Sequence, residues 1–292
     1  MTALAYQSVT RGDAEEDHLT PKDFQRVSAL VGARVGIKLP PTKRMMVEGR
    51  LRKRMRDLGI DSFKAYCARL FDEEGQEREI PHLINAVTTN KTDFFREPEH
   101  YDYLESVAIP ELIAARGEHM PLLKIWSAAS SNGAEAYTAA MVLADMAANR
   151  GDFNFAVLGT DVSTKVLAQG RRAVYGAELL APVPATKMAR YVMHARNPNS
   201  RPEVRMAPEL RRRVQFSYLN LMETTYQFDR DVDVIFLRNV LIYFDKQDQE
   251  AVIGRLTSHL RVGGYLMLGH SESMIGSDFP LRPVAPAIFQ KI

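Results

Sequence analysis

Cysteine is almost missing from this chain, since Cys67 is the only one. A lone thiol excludes an internal disulfide and any cysteine-rich metal cluster, and its helical spacing with Phe63, Tyr66 and Leu70 reads as core. Long apolar runs are missing too. None approaches the ~20 residues a membrane span needs, although 46% of the residues are hydrophobic, so the expectation is a soluble globular protein without membrane insertion. The opening MTALAYQSVTRGDAEEDH has no basic stretch followed by an apolar one. A secretory signal is therefore not visible, and a cytoplasmic location is expected. No His, Cys or Ser nucleophile set and no metal-ligand motif stands out; no metal is expected, and His270 and the other histidines read as structural. Finally, the chain lacks an excess of either charge, with a formal net of +2. That balance conceals local polarity. Between Thr42 and Leu58, Lys43, Arg44, Arg50, Arg52, Lys53, Arg54 and Arg56 stand against Glu48 and Asp57, a net of +5.

What is present divides into two unequal parts. Residues 1–19, acidic with little to bury, read as a flexible tail. Thr20 is the expected N-cap of a first helix, with Pro21 at its first position and Phe24, Val27, Leu30 and Val31 at helical spacing. Pro40 and Pro41 break it. Thr42 caps a second helix that ends at Gly59, Asp61 caps a third through about Asp72, and residues 76–87 form a fourth. Residues 20–90 are thus expected to be an all-helical domain. The second helix buries a narrow stripe of Val47, Leu51, Met55 and Leu58, leaving its basic residues on wet faces. Such residues either keep a helix solvated or dock an acidic partner. Few aromatics interleave them, so acidic protein is favoured over nucleic acid or lipid.

The rest of the chain is organised around residues 125–141, IWSAASSNGAEAYTAAM. An apolar run of Leu122, Leu123, Ile125 and Trp126 suits a buried strand. It gives way to small residues through Gly133, and helical spacing resumes at Glu135, Ala139, Ala140 and Leu143. Strand, tight turn and helix in this order fit either a nucleotide-like ligand at the helix N-terminus or an ordinary α/β connection. Residues 155–159 are a second strand with Asp161 at its end, where α/β nucleotide folds hold a ribose diol, or where an Asp merely caps the next helix. Asp161 lies 28 residues past Gly133, longer than the ~20 of the dinucleotide fingerprint. Residues 191–194 and 204–206 suit a small antiparallel insert at about 190–208. Residues 214–218 and 233–237 return to the sheet, followed by a helix over 247–259. Then come a turn at Gly263-Gly264, a strand over 265–268 and an edge strand over 287–292. This alternation is a doubly wound α/β sheet, with ligands expected beyond the carboxyl ends of its strands. Upstream, the polar residues of TTNKTDFFREP at 88–98 read as a convergent loop anchored by Phe94 and Phe95, with Arg96 offering a planar fork to a carboxylate or pairing with a nearby acid.

Together these motifs resemble the chemotaxis receptor methyltransferases, the CheR family. The resemblance covers residues 20–291 and rests on TTNKTDFFR at 88–96, WSAA at 126–129 with Gly133 and Glu135, Leu219-Asn220-Leu221, FLRNVLIYF at 236–244 and GHSES at 269–273. It implies a helical domain followed, over 91–292, by a class I methyltransferase-type α/β domain carrying the β insert. It also implies transfer of a methyl group from S-adenosylmethionine to glutamate side chains in the cytoplasmic domains of chemoreceptors. Asn90, Thr92 and Arg96 would hold the methionine end with help from Glu135, Asp161 the ribose, and Asn220 and Leu221 the adenine. Arg238 and Asn239 would complete the pocket, and Arg96 and Tyr243 would serve the transfer. Two features depart from the family: Ala134 and Ala136 flank Glu135 where the family carries a second acid and a proline, and the insert loop at 195–201 lacks the turn glycine of tether-binding members. Docking would then rest on Arg50, Lys53, Arg54 and Arg56, with a monomer expected and no nucleic-acid partner. A nucleic-acid methyltransferase and a cofactor-binding regulator without transfer stand as alternatives.

Overall fold

The computed structural model describes residues 17–194, 202–272 and 278–292. Four helices come first: α1 (Pro21–Val35), α2 (Arg44–Leu58), α3 (Phe63–Leu70) and α4 (Glu73–Val87). They bury one core that includes Phe24, Val31, Leu51, Phe63, Tyr66, Cys67 and Leu83. Thr20 caps α1 as expected, its side chain accepting from the Asp23 amide, and Gly59 closes α2 in the left-handed conformation. Two other expected caps are corrected. Thr42 lies inside a short 3-10 turn before α2, and the cap of α3 is Ser62 rather than Asp61. Nor is the tail loose up to residue 19. Leu19 is fully buried and the Asp17 carboxylate accepts from the Phe63 amide, so packing begins at least three residues before the first helical periodicity. Residues 1–16 of that tail, and the insert loop at 195–201, lie outside the described residues.

A bent helical segment follows, α5 (Glu99–Tyr103) and α6 (Ile109–Arg116) joined by one π turn just before Pro110. The α/β part then runs β1 (Leu122–Ala128), α7 (Ala134–Arg150), β2 (Asn154–Asp161), α8 (Thr164–Arg172), β3 (Val174–Gly176), α9 (Ala185–Tyr191), β4 (Val192–His194), β5 (Glu203–Met206), α10 (Pro208–Arg211), β6 (Val214–Tyr218), β7 (Val232–Leu237), α11 (Lys246–His259), β8 (Leu260–Leu268), β9 (Leu281–Ala285) and β10 (Ile288–Lys291). Seven strands form the main sheet in the order β6-β2-β1-β7-β8-β10-β9, parallel from β6 to β8 and antiparallel beyond. The chain winds outward from β1 through β2 to β6, then crosses back to β7, so the order reverses between β1 and β7. In such sheets that reversal opens the ligand crevice.

The alternation of β1 divides the core. Leu123 and Ile125 face α7, while Trp126 and Ala128 join the cluster under α11. The insert pairs as expected, Val192 opposite Met206, but β3 adds a third strand, so the small sheet starts at Val174. Two further expectations are corrected. Gly263-Gly264 is not a turn: β8 runs straight through with a register shift against β7. And β10 is not an edge strand, because β9 covers it. The short Leu281–Ala285 segment, interrupted by Pro283, carried no alternation to announce it.

Candidate functional site

The carboxyl ends of β1, β2 and β7 open onto a cavity of about 770 Å³ whose walls include Asn90, Thr92, Arg96, Glu135, Asp161, Asn220, Leu221, Arg238, Asn239 and Tyr243. Every residue that the resemblance assigned to cofactor or catalysis therefore meets in one place. The cavity lies at the seam of the two parts. Val35, Ile37, Leu39, Pro40, Lys43 and Met46 of the helical part also line it. Two hydrogen bonds hold that lining down: the Lys38 amide donates to the Tyr243 carbonyl at 3.0 Å, and Asn220 Nδ2 donates to the Arg34 carbonyl at 2.6 Å.

The floor is the small-residue turn after β1. Ala129, Ser131 and Gly133 all take positive φ, at 55°, 51° and 89°. At Gly133 a Cβ would stand 2.6 Å from the Phe216 ring, so conformation and space both demand glycine. Asp161 locks this turn. Its Oδ2 accepts from the Ser131 amide at 2.9 Å and its Oδ1 from the Ser163 amide at 2.8 Å. The capping reading of Asp161 is corrected, because Ser163 is the N-cap of α8; Asp161 only accepts that residue's amide, and each of its oxygens keeps a lone pair facing the cavity. Burial pushes its carboxyl above the ordinary range against the pull of these amides.

One wall is a buried polar network. Glu135, in the first turn of α7, accepts from Ser127 Oγ and from Arg238 Nε, both at 2.6 Å. Arg238 also donates to the Arg96 carbonyl at 2.7 Å and to the Tyr101 hydroxyl at 2.9 Å. Its guanidinium is therefore committed to protein partners and braces Glu135 and the Arg96 loop along the cavity wall. Burial works against its charge, and the neighbouring Tyr101 and Glu135 outweigh that and hold it above its ordinary value. The Asn220 amide is likewise engaged at both ends, its Oδ1 accepting from the Met222 amide, which leaves it one N–H and one lone pair. Ala134 and Ala136 are both buried in the core. A second acid at either place would lose its water, so Glu135 stands as the one carboxylate of that turn.

Arg96 behaves differently. Phe95 and Glu97 beside it sit at φ of 52° and 53°, a conformation non-glycine residues hold only when their surroundings force it. Phe94 is buried edge-on against Tyr175, and the Phe95 amide donates to Thr138 Oγ1. Thus anchored, the loop presents the Arg96 guanidinium to the cavity, where it pairs with no carboxylate among the described residues. Tyr243 is presented by a 3-10 turn, Leu241–Tyr243, after β7. Ser131 was not foreseen, although its hydroxyl donates to the Asn90 carbonyl at 2.8 Å and ties the loop at 88–96 to the turn. Its signal was present in the SS pair at 130–131; the lining from the helical part had none, because it depends on how two parts dock.

Glu97, His100 and His270 bring ligand atoms within 4.8 Å of one another. His100 Nδ1 lies 3.2 Å from Arg238 Nη1 and must accept from it, which leaves the ring proton on Nε2. Burial and that guanidinium lower its pKa to about 4. A fixed cation against a neutral ring whose second nitrogen carries a proton is a poor place for a metal ion.

Residues 90–285 match the family described as "CheR methyltransferase, SAM binding domain". The chain belongs to the CheR methyltransferase family. Residues 22–88 match the same family's all-alpha domain. Among curated relatives, "Chemotaxis protein methyltransferase 2" of Pseudomonas aeruginosa is 36% identical over 275 residues, 94% of this chain and 95% of that one. The "Chemotaxis protein methyltransferase" of Salmonella typhimurium is 38% identical over 90% of this chain and 88% of its own length, and that of Escherichia coli 36% over 96% and 93%. The cofactor of this CheR-family chain is S-adenosylmethionine. The cavity suits it in chemistry, since Asp161 offers a carboxylate that a diol could share and Arg96 a planar fork that matches a carboxylate. No helix among the described residues is long and apolar enough to cross a membrane.

Proposed function

We propose that this CheR-family methyltransferase esterifies glutamate side chains in the cytoplasmic domains of chemoreceptors, acting as a cytoplasmic monomer with no nucleic-acid partner. The observation that carries the reading is Arg96, a guanidinium without a carboxylate partner among the described residues, lining the same cavity as the Asp161 turn and Tyr243. The names of the relatives, chemotaxis protein methyltransferases, support the receptor class.

When bound, S-adenosylmethionine supplies a methyl group made electrophilic by its sulfonium. The chain's share is positioning. Asn90, Thr92 and Arg96 receive the charged end of the cofactor, Asp161 the ribose, and Asn220 and Leu221 the base. Arg96 and Tyr243 border the acceptor. A glutamate with a pKa near ~4.3 is already a carboxylate at neutral pH. Transfer then needs alignment and a dry site more than a general base. The helical part supports this, since Val35, Ile37, Leu39 and Met46 add apolar lining to the cavity.

Docking of an acidic receptor helix falls to fewer residues than the sequence offered. Arg50 Nη1 donates to the carbonyls of Ala86, Val87 and Thr88 at the end of α4, and Arg54 makes a two-pronged pair with Glu79, which is fully buried. Both face inward and hold α2 to α4. Lys53 and Arg56 remain exposed on α2 and carry the docking proposal, with Lys43 at the cavity rim. The test is methyl-labelled S-adenosylmethionine with a receptor-rich membrane fraction. Label on receptor that mild base releases is expected; label on nucleic acid, or base-stable label on protein, overturns the reading.

A further inference from the structure

The GHSES motif contains a carboxylate that no function has yet absorbed. Glu272 is 8% exposed and accepts four backbone N–H groups: Gly269 at 2.7 Å and Asn239 at 2.9 Å on Oε2, Val240 at 2.8 Å and Leu241 at 2.7 Å on Oε1. Three of these donors are consecutive. They form the amide concavity that opens the 3-10 turn Leu241–Tyr243, a shape that binds anions. Here the anion is the chain's own, brought from the exit of β8 to the exit of β7. Burial pushes the Glu272 carboxyl up while the four amides pull it back, leaving it above its ordinary value.

The contact is also sterically closed. A Cβ on Gly269 would stand 2.6 Å from Asn239 Nδ2 and 2.9 Å from both the Asn239 nitrogen and Glu272 Oε2, so only glycine lets the two loops approach. Within the clasp Asn239 takes φ of 60° and its Nδ2 donates to Glu97 Oε1 at 3.3 Å. The clasped loop is the one that carries Asn239, Val240, Ile242 and Tyr243 to the cavity.

We infer that Glu272 is a positioning residue for methyl transfer: its carboxylate, by holding the amides of Asn239, Val240 and Leu241 together, sets where Tyr243 stands over the cavity. The inference rests on the reading of Tyr243 as bordering the acceptor. Only a carboxylate serves, because all four partners are donors. A glutamine of the same size would satisfy two of them and turn an NH₂ group against the other two.

Glu272→Gln separates this from a merely stabilising contact. In the folded variant, hydrogen exchange at the Asn239, Val240 and Leu241 amides should speed up at least about tenfold. The kcat for receptor methylation should fall by about tenfold or more, as a misplaced group costs in such reactions. S-adenosylhomocysteine affinity by calorimetry should fall by less than kcat does, since Asp161 and the β1 turn are untouched and only the Asn239 side of the pocket is loosened. Glu272→Asp keeps the charge and draws both oxygens back, and should shift exchange and kcat in the same direction by less, which covers the case where glutamine does not fold. Unchanged amide protection overturns the inference, and so does lost protection with a normal kcat. If the wild-type chain methylates no receptor glutamate, the proposed function fails and with it the role of Glu272 in transfer, while the exchange measurement still decides whether Glu272 holds the Asn239, Val240 and Leu241 amides.

Discussion

Asp161→Asn asks two questions of one side chain, and the geometry separates the answers. The carboxylate takes the Ser163 amide on one oxygen and the Ser131 amide on the other. Asparagine keeps one acceptor, for Ser163 as the nearer and sequence-local donor, and sets an NH₂ group against the Ser131 N–H. A buried donor left without a partner costs about 1–3 kcal/mol. That loss strikes the free protein as well, so it appears as lower stability, partly offset because a buried charge is removed. The diol loses a charged acceptor only in the complex, and such bonds contribute about 1.5–3 kcal/mol. Affinity for S-adenosylhomocysteine should therefore fall about 10- to 100-fold by calorimetry, and Asp161→Ala should lose at least about tenfold. The pH dependence follows the sign of the shift. Because burial raises the Asp161 carboxyl above its ordinary value, its share of stability is present below the ordinary value and lost as pH rises through the raised one. Cofactor affinity runs the other way, falling as acid protonates the acceptor. An affinity within threefold of wild type in a folded Asp161→Asn variant would remove Asp161 from the ribose site.

Arg96→Lys replaces a planar fork with a point charge, and methyl transfer should drop at least about tenfold with the fold intact; near-normal turnover would sink that assignment. Reversing Lys53 and Arg56 together, Lys53→Glu with Arg56→Glu, should slow receptor methylation several-fold at low salt. The gap should close as salt rises, because exposed charges act through encounter rate; a normal low-salt rate would make α2 a solvated face only. Arg50→Glu is expected to do something else, releasing three carbonyls at the root of the 88–96 loop and weakening cofactor binding. His100 is held neutral, its pKa lowered to about 4 from 6.5. The unfolded chain then binds one more proton between those values, so stability falls by about 3 kcal/mol as pH drops from 7 to 4. Denaturant titrations of His100→Asn should show that dependence reduced by one proton, and an unchanged slope would refute the burial argument.

The sequence by itself determined what short-range chemistry encodes. A strand breaking into small residues and then a helix could be read because apolar runs and helical spacing are local signals, and Thr20, Gly59 and Gly133 punctuated them for reasons of backbone conformation. The ten cavity residues could be named because the motifs around them resemble those of a known family, and Asp161, Asn220, Arg238 and Asn239 also stand at or just past strand ends. Whether those side chains face a ligand or the protein was decided only by the tertiary structure. Arg50, Arg54 and Arg238 are chemically indistinguishable in sequence from Arg96, yet the first three are drawn inward by the α4 carbonyls, Glu79 and Glu135, whereas the docked loops leave Arg96 facing the cavity. The same holds for Glu272 and for the lining supplied by the helical part. Three of the four amides on Glu272 come from 31 to 33 residues away along the chain, and no local pattern records which backbone amides will converge on a carboxylate once β7 and β8 lie side by side.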